Sequence, residues 1–131
     1  MVETALYVAD LDRACGFYTR FLQLPVLVRD ERFCAFDAGR RSVLLLFLKR
    51  GTLSSVPTPG GSIPPHDGDG RLHLAFAIDR PDLEAWERRL GAEGIAIESK
   101  VAWDRGGVSL YFRDPDGHLV ELATPGLWAN Y

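Results

Sequence analysis

Residues 71–79, RLHLAFAID, alternate at the strand period of two. Leu72, Leu74, Phe76 and Ile78 point one way, and His73, Ala75 and Ala77 point the other. The first set is bulky and suits packing against a helix. The second is an imidazole followed by two methyl groups, which leaves open space beside the ring. After this strand a helix is expected over 81–93, with Pro81 in its first turn and Gly94 past its end. Strands are expected over 95–99, 108–113 and 118–124, the last two joined by the turn DPDG at 114–117.

The same order stands earlier in the chain. Residues 3–8, ETALYV, alternate as a strand, and Asp10 caps a helix over 11–22 with Leu11, Ala14, Phe17, Tyr18, Phe21 and Leu22 at helical spacing. Pro25 stops it, and strands are expected over 26–29, 33–36 and 43–48, with the turn DAGRRS before the last. The stretch from Phe36 to Leu45 matches that from Phe112 to Glu121 in length, with a glycine in each turn. This is an internal duplication read from element order. Between the halves, residues 51–70 hold four of the eight prolines and read as an unstructured loop, the most mobile segment of the chain.

Composition narrows the function classes. A chain of 131 residues, 47% hydrophobic and 25% charged, suits an ordinary globular protein. A net charge of −3 and a pI near 5.6 argue against nucleic acid or an anionic membrane surface as partner. The longest apolar run, 43–48, is too short to span a bilayer, and the N-terminus reads as strand rather than leader. Cys15 and Cys34 lack metal-type spacing and read as buried free thiols, so a cytoplasmic location is expected.

Aligning the halves sets Glu3 where His73 stands. Glu3 is followed two residues on by Ala5, His73 by Ala75, and Glu121 by Ala123. Three candidate ligands thus occupy strand positions whose neighbour on the same face is alanine, as expected of a sheet with helices on one side and a cavity on the other. Two carboxylates and one imidazole suit a divalent metal with open positions, and iron, manganese, nickel, zinc and magnesium all fit. The fourth symmetric position is Leu45, which cannot ligate.

The segments ETALYVADLDRACGFYTRFL, HLAFAI and SLYFRDPDGHLVELATPG resemble the vicinal oxygen chelate superfamily, which groups glyoxalase, bleomycin-resistance proteins and extradiol dioxygenases. The resemblance covers the chain apart from 51–70. It implies a single α+β domain over 1–131, built of two tandem βαβββ modules at about 1–50 and 71–125. These would form a curved mixed sheet around a cup, helices on its convex side, in a homodimer. It carries the metal ligands to Glu3, His73 and Glu121, each at the matching strand position. In this family the first ligand is often His or Gln rather than Glu, and glyoxalase I enzymes usually have a carboxylate where Leu45 stands.

The expected activity is that of a metal-dependent enzyme acting on a small oxygen-chelating substrate, lyase or isomerase in type, with Glu121 and Glu3 moving protons. Tyr7, Trp103, Arg105, Ser109 and Tyr111 are the expected substrate-binding residues: Ser109 and Tyr111 share a strand face, and Arg105 brings charge from a turn. His118 reads as a hairpin residue and His66 as exposed, with a role in a lid as its functional alternative. The alternative to an enzyme is a protein that binds a drug or other small molecule without chemistry.

Overall fold

Asp10 starts the first helix. Its carboxylate accepts a hydrogen bond from the Arg13 amide at 2.9 Å, which satisfies one of the amides a helix start leaves open. In the computed structural model, which describes all 131 residues, α1 runs Leu11–Arg20 and buries Leu11, Ala14, Cys15 and Tyr18 along one stripe. The stripe lies on a four-stranded sheet of β1 (Glu3–Val8), β2 (Val26–Arg29), β3 (Phe33–Asp37) and β4 (Val43–Leu48), in the order β1-β4-β3-β2. β1 is parallel to β4, and the other pairs are antiparallel. Leu6, Val8, Cys34, Phe36, Leu44 and Leu46 are buried on the helix side, with Phe36 against Tyr18 at 6.1 Å between ring centroids.

The stretch expected to be unstructured carries a small hairpin, β5 (Val56–Thr58) with β6 (Gly61–Ile63). Beyond it, residues 66–69 are fastened to the turn that follows β4. The His66 amide donates to the Thr52 carbonyl at 3.0 Å, and the Thr52 hydroxyl donates to the His66 carbonyl. The Arg50 amide donates to Asp67 at 3.1 Å, and Lys49 pairs with Asp69 at 2.6 Å. The breakers that ruled out a long strand do not rule out a three-residue pair closed by Pro59 and Gly60. The segment belongs to the first of two compact units, Met1–Gly70 and Arg71–Tyr131.

Gly68 lies against the face of Tyr7, where an added Cβ would come within 2.4 Å of the ring. Tyr7 is itself stacked on Phe47, so it has little freedom to yield. Gly68→Ala is expected to destabilise the protein by about 1–3 kcal/mol. The measurements are the urea midpoint and the rate of proteolytic cutting within 52–69; an unchanged midpoint and rate would contradict the packing described.

The second unit repeats the first. β7 (His73–Ala77) is followed by a single 3₁₀ turn at Arg80–Asp82, α2 (Leu83–Ala92), β8 (Ser99–Ala102), β9 (Val108–Arg113) and β10 (Leu119–Ala123). The order β7-β10-β9-β8 reproduces the first sheet, with β7 parallel to β10. Leu45 pairs with Ala5 and Ala35, and Glu121 pairs with Ala75 and Tyr111. Glu3 pairs two positions before Leu45, with Val43, and His73 two positions before Glu121, with Leu119. The duplication therefore holds at the level of the ladders. In place of the single curved sheet, each unit has its own four-stranded sheet, because β1 and β7 are edge strands paired on one side only.

The strand expected over 95–99 begins at Ser99 instead. The Ile95 amide donates to the Leu90 carbonyl at 2.9 Å, and Gly94 takes a positive φ of 68°, so these residues close α2 before pairing begins. No helix is long and apolar enough to cross a membrane.

Both cysteines are buried and free, as expected. Burial pushes the Cys34 thiol up to about 12, reinforced by Cys15 beside it, and burial likewise raises Cys15. An unfolded thiol ionises near pH 8.5 while the folded one keeps its proton, so the unfolded chain binds fewer protons in between. Stability is therefore expected to be intact below about pH 8.5 and to fall from there toward pH 12. Urea midpoints from pH 8 to 10.5 should drop more steeply for the wild type than for Cys34→Ala.

Candidate metal centre

The second sheet carries a polar cluster on the face away from its buried core. β10 places Glu121 between Val120 and Leu122, and its side chain, on the opposite face from theirs, is nonetheless almost fully enclosed; the residue is 3% exposed. Neighbouring β7 brings His73 beside it, with Nε2 at 3.2 Å from Oε2 of Glu121. The other ring nitrogen, Nδ1, lies 3.1 Å from the Leu119 carbonyl oxygen. A carbonyl only accepts, so Nδ1 donates to it, and Nε2 is the ring nitrogen that faces the carboxylate.

Two donors at about 2.1 Å from one ion sit roughly 3.0 Å apart in cis octahedral geometry and roughly 3.4 Å apart in tetrahedral geometry. The observed 3.2 Å falls in that interval. A ligating histidine held by its second nitrogen on a backbone carbonyl is the usual supporting arrangement. The pair thus fits a divalent metal by donor chemistry and by spacing.

Around the pair, the Trp103 indole Nε1 donates to Ser109 Oγ at 2.8 Å, and Ser109 donates to Glu121 Oε1. Tyr111, opposite Glu121 across the ladder, faces the His73 ring at 6.2 Å. Burial raises its hydroxyl pKa against the opposing effect of the Ser109 hydrogen bond, and the nearby Glu121 charge adds to the rise. At neutral pH it is a proton donor, not an anion. Ala75, Ala77 and Ala123 occupy the same face.

Ser109 was expected to meet substrate. In the structure it is fully buried and donates its hydroxyl to Glu121. Trp103 is 37% exposed and tied to Ser109, and Arg105 is exposed on the turn after β8. The structure therefore gathers His73, Glu121, Ser109, Trp103 and Tyr111. Glu3, exposed on β1, and Tyr7 belong to the first unit, and no three His, Cys, Asp or Glu side chains form a metal-holding group within the chain. The Tyr7 hydroxyl is hydrogen-bonded to His66 Nδ1 at 2.8 Å. His66 is half-buried on Phe47, its ring centroid 4.7 Å away, which corrects its reading as solvent-exposed.

His118 is the residue whose part the sequence only hinted at. It is buried at the turn, its amide donating to Asp114 at 2.8 Å and its Nδ1 accepting from the Leu72 amide at 3.0 Å. It thereby fastens the start of β7, one residue before His73. A histidine directly after a turn glycine gave the hairpin role but not this reach, because its partner lies 46 positions away.

Two βαβββ units with matched ladders, and a histidine–carboxylate pair on one sheet, define the class. The family model for the Glyoxalase/Bleomycin resistance protein/Dioxygenase superfamily matches residues 1–122, and the chain belongs to that superfamily. It is 37% identical over 125 residues to a glutathione transferase, FosA, of Serratia marcescens, covering 95% of this chain and 80% of the relative. It is 29% identical over 118 residues to the metallothiol transferase FosB of Bacillus licheniformis, covering 89% of this chain and 70% of that protein. The solved lactoylglutathione lyase of Agrobacterium tumefaciens is similar at a TM-score of 0.88 with 33% identity, over 98% of this chain and 96% of that one.

Proposed function

We propose that the protein is a divalent-metal-dependent enzyme acting on a small substrate that presents adjacent oxygens, with His73 and Glu121 as two of its metal ligands and Glu3 as the third. The observation that carries this reading is the 3.2 Å approach of His73 Nε2 to Glu121 Oε2, with Nδ1 anchored on Leu119. A bound divalent ion supplies Lewis acidity to polarise a substrate carbonyl or alkoxide. The chain's own residues do the rest. Glu121 and His73 present their donors from adjacent strands, Tyr111 offers a proton at its hydroxyl, and the three alanines leave room for a small ligand.

A lyase or isomerase is favoured over a transferase. The cluster around the pair contains no lysine or arginine to hold a strongly anionic substrate, and Arg113 on the neighbouring strand is engaged with Glu98 and the Gly117 carbonyl. The similarity to the lactoylglutathione lyase over nearly the full length of both chains supports the same reading. The second reading is thiol transfer, supported by the 37% identity to the relative named glutathione transferase. Both are enzymes, and both set aside a binding protein without chemistry.

The test is metal content followed by two assays. Protein purified without a histidine tag and incubated with manganese, nickel or zinc is expected to retain about one ion per chain. Isomerisation of a glutathione hemithioacetal is then compared with opening of an epoxide by a thiol. Failure to retain any metal, with an aromatic ligand still bound, would replace the enzyme by a binding protein. The proposal includes a homodimer in the cytoplasm. Mixing Glu3→Ala with His73→Ala protein and regaining metal binding would show that one site draws ligands from two copies.

A further inference from the structure

The hydrogen bonds around Glu121 have only one possible direction. An indole N–H donates and cannot accept, so Ser109 Oγ must accept from Trp103. A carboxylate only accepts, so the single hydroxyl proton of the serine goes to Oε1, and Tyr111, hydrogen-bonded to both Ser109 and Glu121, brings its own proton. We infer that Ser109, oriented by Trp103, is a positioning residue that occupies Oε1 of Glu121 and leaves Oε2 as the one oxygen presented beside His73. This rests on the metal reading proposed above and specifies how the carboxylate takes part in it: through one oxygen, not two.

The first unit supplies an internal comparison. By ladder register Glu121 corresponds to Leu45, Tyr111 to Ala35 and Ser109 to Phe33. At these three positions the first sheet is therefore built with no carboxylate and no hydroxyl. The fold does not require a serine at this position. At the two matched positions, serine and glutamate occur together in one unit and are replaced together, by Phe33 and Leu45, in the other, as expected if the hydroxyl serves the carboxylate.

Burial makes the arrangement firm. Ser109 is fully buried and Glu121 is 3% exposed, so water does not compete for Oε1. Trp103 is held from the backbone as well, its amide donating to the Gly107 carbonyl at 2.9 Å and its carbonyl accepting from Gly106 at 2.8 Å. A rigid donor, a hydroxyl with one free proton and an enclosed carboxylate together set the rotation of the Glu121 carboxyl group.

The experiment titrates cobalt(II) into wild type, Ser109→Ala and Trp103→Phe. Ser109→Ala is expected to weaken binding about 10- to 100-fold, in the range that supporting residues of metal ligands show, and Trp103→Phe to weaken it less. Releasing Oε1 lets the carboxylate bind through both oxygens, so the visible cobalt band of Ser109→Ala should lose intensity as coordination number rises. In metal-free protein, the Trp103 indole N–H signal is expected to shift and to exchange with solvent faster in Ser109→Ala, while Trp86 and Trp128 are unchanged. Wild-type affinity and an unaltered cobalt band in Ser109→Ala would overturn the inference, and so would an unaltered Trp103 signal. Should Ser109→Ala fail to fold, Trp103→Phe decides: unchanged affinity and an unchanged band overturn it. If wild type binds no cobalt, the metal reading falls, and the one-oxygen assignment to a metal falls with it. A Trp103 signal that still depends on Ser109 would then separate that failure from a failure of the hydrogen-bond chain.

Discussion

Replacing His73 by alanine is expected to lower divalent-metal affinity by at least about a hundredfold while changing folding stability by less than about 0.5 kcal/mol. The two effects separate because of where the ring stands. Its side chain is 50% exposed on an edge strand, and its one backbone hydrogen bond, to Leu119, can pass to water. Nothing in the core depends on it. By contrast, Nε2 is the atom that faces Glu121, and its loss removes one of the two proposed ligands on this sheet. Isothermal titration with manganese or zinc reads the first effect and a urea curve reads the second. Full metal affinity in His73→Ala would remove His73 from the site and with it the proposed metal centre.

Phe112→Ala is expected to do the reverse, destabilising the protein by about 3–5 kcal/mol while leaving the donor geometry of the folded molecules unchanged. Phe112 is fully buried on the opposite face of the same sheet, paired with Val120 across the ladder and sharing that face with Leu110 and Leu122, both also buried. Alanine would leave a cavity that these rigid strands cannot close. Leu74, whose side chain alternates with His73, is the weaker choice for such a test, since it is half-buried rather than enclosed. The urea midpoint is the measurement, and a loss below about 1 kcal/mol would show that the sheet face is not the core described.

Much of the fold was legible in the chain because its signals are local. Alternation at 3–8 and 71–79, the Asp10 cap, Pro81 and the DPDG turn each act within a few residues, and equal spacing between Phe36–Leu45 and Phe112–Glu121 exposed the duplication. Local signals misled where two of them competed. Proline density across 51–70 hid a three-residue hairpin and the contacts that fasten His66 to Tyr7 and Phe47. Of the β-like run at 95–98, Ile95 is spent closing α2, and bonding to β9 starts only at Glu98.

The candidate site divides along the same line. Sequence periodicity alone determined that His73 and Glu121 lie on strand faces beside alanines, because the alternation of side chains is a property of the extended backbone. It also determined that Leu45 breaks the symmetry. Only the tertiary structure decided that Glu121 is enclosed, that His73 turns Nε2 and not Nδ1 toward it, and that Ser109 donates its hydroxyl to the carboxylate. Those facts depend on which strand lies beside which and in what register. β7 and β10 are joined across more than forty residues, and no short-range pattern records a hydrogen bond between residues so far apart in the chain.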